Sequence, residues 1–150
     1  MAEVDNVTML NAARGGFETS LGLTFTRASA DVVECEIPVG PHLMQPFGLV
    51  HGGVYAAIVE TLASVGAAMA AATHGLTALG LENTTSFLRA VRTGKLIGVA
   101  RPLHRGRTTQ VWEVEVKTDD GKVAATGRVR MLCVEPGARI AGEGIALKRG

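Results

Sequence analysis

The chain has 150 residues, a net charge of +1 and 47% hydrophobic residues, which fits one domain around a single core. Lysines and arginines are scattered along it, so it shows no electrostatic footprint for nucleic acid or an anionic membrane. Residues 1–11 carry Glu3, Asp5 and Asn6 and lack a basic start followed by an apolar run, so a cytoplasmic protein is expected. Cys35 and Cys133 fall in strand-like patterns without a CxxC or His/Cys cluster, which predicts buried thiols, no metal and no disulfide framework.

Residues 1–19 read as an arm or short helix, with helix over 7–13 ended by Arg14-Gly15-Gly16. From Leu23 the pattern has period two. Val33, Cys35, Ile37 and Val39 alternate with Glu34, Glu36 and Pro38, marking a half-buried strand whose hairpin partner is 23–27. Residues 38–50 contain Gly40, Pro41, Pro46 and Gly48 and form a loop leading into a long helix over 53–73, stopped by Gly75. Such a helix spans about 30 Å and has to be the central element. Its length raises a transmembrane span, which is rejected because the stretch is mostly Ala and Gly, contains Glu60 and lacks basic flanks.

Strands follow at 77–89, 95–102, 108–118 and 122–134, with Asp119-Asp120-Gly121 as the turn between the last two. In the final strand Val123, Ala125, Gly127, Val129, Met131 and Cys133 are expected to face the core, and the Gly-rich residues 136–150 to fray as a tail. The order implies an α+β domain over 20–135, with five or six antiparallel strands curled around one helix. A single sheet covers only part of a helix that is apolar on all sides, so a second copy is expected on the remaining face.

Glu60 sits amid Ala56, Ala57, Val59, Ala63 and Ala67, where a carboxylate is costly unless it is paired, hydrogen-bonded or protonated. The ordinary alternative is a solvated helix position, and the apolar neighbours argue against it. Ser64 lies one turn on, on the same face, where a hydroxyl can hold a water. His51-Gly52-Gly53 stands at the positive end of the helix, where free N–H groups can stabilise an oxyanion, and Gln45 precedes it as a further donor. On spacing alone Gln45 and Ser64 are as readily structural. A carboxylate, an oxyanion site and a water-orienting hydroxyl suit acyl transfer to water without a cofactor or metal. No G-x-S-x-G elbow and no nucleotide-binding glycine motif is present. His42, His74 and His104 have no partners at ligand spacing and read as surface or loop residues.

The run Gly48-Leu49-Val50-His51-Gly52-Gly53-Val54-Tyr55, followed by Glu60-Thr61-Leu62-Ala63-Ser64, closely resembles the hotdog-fold acyl-CoA thioesterases of the PaaI-like group. The resemblance covers about 20–134, including Ser86-Phe87-Leu88-Arg89 and His104-Arg105-Gly106-Arg107-Thr108, and is nearest to the Arthrobacter-type 4-hydroxybenzoyl-CoA and the 1,4-dihydroxy-2-naphthoyl-CoA thioesterases. It implies that Glu60 is the catalytic carboxylate, as general base or nucleophile. It further implies that the Gly52 N–H polarises the carbonyl, that Gln45 and His51 contact the thioester, and that Ser64 orients water. Gly53, Met44, Phe47 and Tyr55 would line the substrate site, with Leu43 nearby. Arg89, Arg107 and Thr108 would lie near CoA, which is part of the substrate. The resemblance also implies a homo-oligomer, dimer or tetramer, with each site shared between subunits. A hotdog dehydratase or hydratase lacks support in the absence of a Gly-Asp-x-Asn-Pro-x-His run, and a non-catalytic acyl-CoA binding module is the alternative from another class.

Overall fold

The computed structural model describes residues 5–147. Its elements in chain order are α1 (Asn6–Ala12), α2 (Gly16–Leu21), β1 (Thr24–Ala28), β2 (Val33–Pro38), α3 (Gly52–Ala72), β3 (Thr77–Phe87), β4 (Lys95–Arg105), β5 (Thr109–Thr118), β6 (Val123–Val134) and a small hairpin of β7 (Arg139–Ile140) and β8 (Glu143–Gly144). Six strands form one antiparallel sheet in the order β1-β2-β4-β5-β6-β3, and α3 lies across β2 to β6. This is the hotdog arrangement expected from the sequence.

Alanine-rich sequence gives α3 its helical propensity, and its buried side is continuous from Val54 to Ala71. Small residues set how closely it approaches the sheet. A side chain at Gly98 of β4 would bring its Cβ within 2.7 Å of Ile58 and Leu62, and one at Gly127 of β6 within 2.6 Å of Val59. In the opposite sense, a Cβ at Gly66 of α3 would overlap the ring of Trp112, which is fully buried on β5. Gln110 ties the same two elements together: its amide donates to the Ala67 carbonyl at 3.0 Å, and its carbonyl accepts from the Trp112 indole at 2.8 Å.

The two edges of the sheet differ. Along β1, the Asn11 side chain accepts from the Phe25 N–H at 2.8 Å and donates to the Phe25 carbonyl at 2.9 Å, the pairing a neighbouring strand would make. Arg14 adds a 2.6 Å bond to the Leu23 carbonyl, so the amino-terminal helices cover this edge. Among the described residues β3 pairs only with β6, and its residues 80–84 and 86–87 are exposed, Leu81 and Phe87 among them. A β-bulge interrupts its register between Gly80 and Glu82.

Several boundaries differ from the sequence reading. A second helix, α2, follows the Gly15-Gly16 pair that was expected to end the first; it is short and closes on Gly22 in the left-handed conformation. β4 continues through Pro102 to Arg105 by a register shift, and α3 starts at Gly52. The tail carries the β7–β8 hairpin where fraying was expected, and residues 148–150 lie outside the described part. Cys35 is fully buried and its thiol is pushed up to about 12 by burial, whereas Cys133 is half-buried, its sulfur 3.5 Å from the Gln110 amide.

Replacing Gly66 with alanine is expected to lower the unfolding free energy by about 1–3 kcal/mol through overpacking, in spite of alanine's higher helix propensity. Denaturant unfolding followed by the emission of Trp112, the chain's one tryptophan, measures both stability and ring displacement. Unchanged stability and emission would show slack between α3 and β5.

Candidate active site

The start of α3 leaves one backbone donor open. His51 is the N-cap: its Nδ1 accepts from the Gly53 N–H at 2.8 Å, and its carbonyl accepts from the Val54 N–H at 2.9 Å. The Gly52 N–H has no acceptor among the described residues. It stands at the positive end of a 21-residue helix, where a developing negative charge is favoured. Glycine lets the Phe87 ring lie close over this donor, since a Cβ would come within 2.7 Å of the ring and displace it. Since His51 Nδ1 acts as acceptor, the proton of the neutral imidazole resides on Nε2 and is available as a donor.

The preceding loop is held as a tight unit. The Gln45 N–H donates to the Leu49 carbonyl at 2.8 Å, the Gly48 N–H donates to the Gln45 carbonyl at 2.9 Å, and Gly48 adopts a φ of 73°. Arg92 clamps the turn from outside, reaching the carbonyls of Phe47 at 3.1 Å and Gly48 at 3.2 Å. The Gln45 side-chain carbonyl accepts from the Phe47 N–H, leaving its NH2 group free to donate.

Gln45, Gly52, Tyr55, Phe87, Leu88 and Arg89 line one open cleft of about 350 Å³. Tyr55 and Phe87 face each other with ring centroids 5.9 Å apart. The Tyr55 hydroxyl is buried without a hydrogen-bond partner among the described residues, and burial pushes its pKa up.

Glu60 lies eight residues beyond Gly52 on α3, about 12 Å along the axis. It is half-buried, less enclosed than its apolar neighbours suggested. Its Oε2 accepts from the Asn83 amide at 3.0 Å, and its Oε1 meets the Ser64 hydroxyl at 3.5 Å. Gly80 opens the space for it, since a Cβ there would overlap Oε1. Thus Glu60 and Ser64 meet as the helical spacing requires, while Gln45, Gly52, Tyr55 and Arg89 form a separate group.

The other expected site residues are dispersed. The Gly53 N–H is consumed by the His51 cap. Phe47 is 83% exposed, and Met44 forms an isolated bridge with Val50; neither lines the cleft. Arg107 lines a different cavity of about 530 Å³ with His74, Arg105 and Glu135, beyond the far end of α3. Thr108, whose carbonyl accepts from the Cys133 N–H at 2.8 Å, lies beside it. Asn83 and Arg92 did not stand out in the sequence. The one signal for Asn83 is the unbroken polar run Glu82-Asn83-Thr84-Thr85-Ser86 inside a strand.

Residues 47–125, which take in the carboxylate and all of the cleft lining except Gln45, match the thioesterase superfamily. The chain belongs to that superfamily. Similarity to named thioesterases agrees: the proofreading thioesterase EntH of Cronobacter sakazakii is 40% identical over 121 residues, covering 80% of this chain and 88% of the relative. Among solved structures, a variant of thioesterase PA1618 from Pseudomonas aeruginosa superposes with a TM-score of 0.82 at 32% identity, covering 89% of this chain and 96% of the other. Thioesterase HI1161 from Haemophilus influenzae gives 0.80 at 30% identity, covering 89% and 93%. Membership of the thioesterase superfamily makes the chain a thioester hydrolase.

The cap makes a prediction independent of substrate. His51→Ala should cost about 1 kcal/mol of stability by uncapping α3, and His51→Asn, whose side chain can also cap, should restore most of it. Thermal melts of both variants compare them; an unchanged melting temperature in His51→Ala would show that the bond to the Gly53 N–H contributes nothing.

Proposed function

We propose that this thioesterase hydrolyses acyl- or aryl-CoA to the free acid and CoA at a site shared between two copies of the chain. The observation that carries the reading is the separation of its two halves. An oxyanion donor and the group that activates water must both lie within about 3 Å of the reacting atoms. The open Gly52 N–H and the backbone of Glu60 stand about 12 Å apart along one rigid helix. A second copy supplies the missing half, and Glu60 lies beside the uncovered edge strand β3, where that copy can dock.

In this reading the Gly52 N–H of one copy polarises the thioester carbonyl, with the free Gln45 amide and His51 Nε2 as additional donors. Glu60 of the other copy acts as base on water, or as nucleophile, and Ser64 orients the water. A C–O bond forms, the C–S bond breaks, and the proton taken from water leaves on the CoA thiol. Tyr55 and Phe87 enclose the acyl group; an acceptor on that group would satisfy the orphan Tyr55 hydroxyl. Arg89, at the cleft, suits the phosphates by charge-assisted bonding. Arg107 and Thr108 reach the same CoA only from another copy. The reaction is assigned to the cytoplasm and uses no cofactor.

Release of CoA thiol from a panel of short, long and aromatic acyl-CoAs tests the activity. Glu60→Gln is expected to lower kcat by about 10²–10⁴-fold with the fold intact; an unaltered rate would overturn the assignment. Subunit sharing has its own test. Mixing inactive Glu60→Gln and Gln45→Ala chains after joint refolding should recover about a quarter of the wild-type rate, because half the dimers are mixed and each mixed dimer holds one intact site of two. No recovery would place the whole site within one chain.

A further inference from the structure

We propose that Asn83 is the positioning residue for Glu60, fixing Oε2 so that Oε1 is the oxygen presented beside Ser64. The role of Glu60 rests on the function proposed above; the contact with Asn83 does not.

Asn83 has its hydrogen-bonding groups committed. Its NH2 donates to Glu60 Oε2 at 3.0 Å and to the Ala56 carbonyl at 3.1 Å, one turn earlier on α3. Its carbonyl accepts from the Thr85 hydroxyl at 2.7 Å. The amide orientation is therefore determined, because reversing it would set its oxygen against two acceptors. Ala56 ties the amide to the helix backbone, so the carboxylate oxygen is held relative to α3 itself. Among the described residues Oε1 has only the 3.5 Å contact with Ser64, and it retains lone pairs for a water.

The β-bulge explains how Asn83 reaches this place. In a regular strand, residues an odd number apart face opposite sides. Gly80 abuts Glu60, yet Asn83, three residues later, also bonds to it. The register shift between Gly80 and Glu82 changes the phase of β3, so that positions 83, 85 and 87 turn toward α3. The bulge thus serves to aim an amide at the carboxylate.

No charged side chain forms an ion pair with Glu60 among the described residues. On β3, Glu82 pairs with Arg130 of β6 at 3.4 Å, and Glu113 of β5 pairs with Arg128 at 3.5 Å, all on the exposed side of the sheet. Glu115 and Lys117 pair with each other on β5. Glu34 and Glu36 of β2 pair with Arg27 and Lys95, and on β4 Arg105 pairs with Asp31 while Arg101 is exposed. His51, at the start of α3, is engaged in its cap. The Asn83 amide is therefore the polar group that fixes the orientation of the Glu60 carboxylate.

Asn83→Leu removes the donor while keeping the side chain's branching, Asn83→Asp substitutes a like charge, and Thr85→Val loosens the amide without touching Glu60. Losing a hydrogen bond to the charged form raises a carboxylate's pKa, and an adjacent like charge raises it further. The acid limb of the kcat–pH profile should move to higher pH in the order Thr85→Val, Asn83→Leu, Asn83→Asp. In Asn83→Leu, kcat should fall about tenfold while KM changes little, equivalent to about 1.4 kcal/mol. Carboxyl ¹³C NMR titration of Glu60, assigned by its loss in Glu60→Gln, should show the same order without any turnover. If no acyl-CoA is hydrolysed by the wild type, the proposed function fails and the NMR titration still decides this inference. An unshifted Glu60 titration in Asn83→Leu, or in Thr85→Val and Asn83→Asp should Asn83→Leu not fold, overturns it.

Discussion

Close contact between one helix and a curved sheet is the constraint on which everything else in this molecule rests. α3 approaches the strands at Gly98 and Gly127 from their side and at Gly66 from its own, distances that any side chain at these positions would prevent. Gln110 then locks the helix to β5 with polar bonds made in a dry interior, where leaving its groups unpaired would be costly. The same closeness brings Glu60 against the backbone at Gly80 and within reach of Asn83. A helix standing further from the sheet would leave that carboxylate in water, without a partner to orient it.

That geometry divides the chemistry of α3 along its length. Its first turn offers an N–H at the positive end of the dipole, and its third turn offers a half-buried carboxylate. The rise per residue is a property of the backbone and cannot be altered by packing, so the open N–H and the carboxylate are kept apart within the chain. Arg89 and Arg107 are separated in the same way, one near each end of the helix.

Much of this was legible in the sequence because it depends on local rules. Alternation in Trp112, Val114 and Val116 gave β5, the Asp119-Asp120-Gly121 turn gave its hairpin with β6, and an apolar stretch bearing one carboxylate gave α3. The His51-Gly52-Gly53 cap was likewise visible as a helix start. Asn83 was not, because its direction depends on a bulge, and nothing in the pattern from Gly80 to Thr85 announces a change of phase. α2 escaped for a different reason: six residues between glycines carry too little periodicity to register. Clustering of Gln45 with Arg89, from loops on either side of α3 and β3, arises only from tertiary packing.

Asn11 bears on how the molecule can grow. By occupying both backbone groups of Phe25, it ends the sheet at β1 as a terminating unit ends a polymer. A chain with two live edges could add neighbours without limit and form fibres. One with a single live edge, β3, can use it once, and two copies joined there leave no strand able to propagate. A side-chain amide on a short amino-terminal helix thereby makes this sheet a bifunctional monomer's opposite, a monofunctional one.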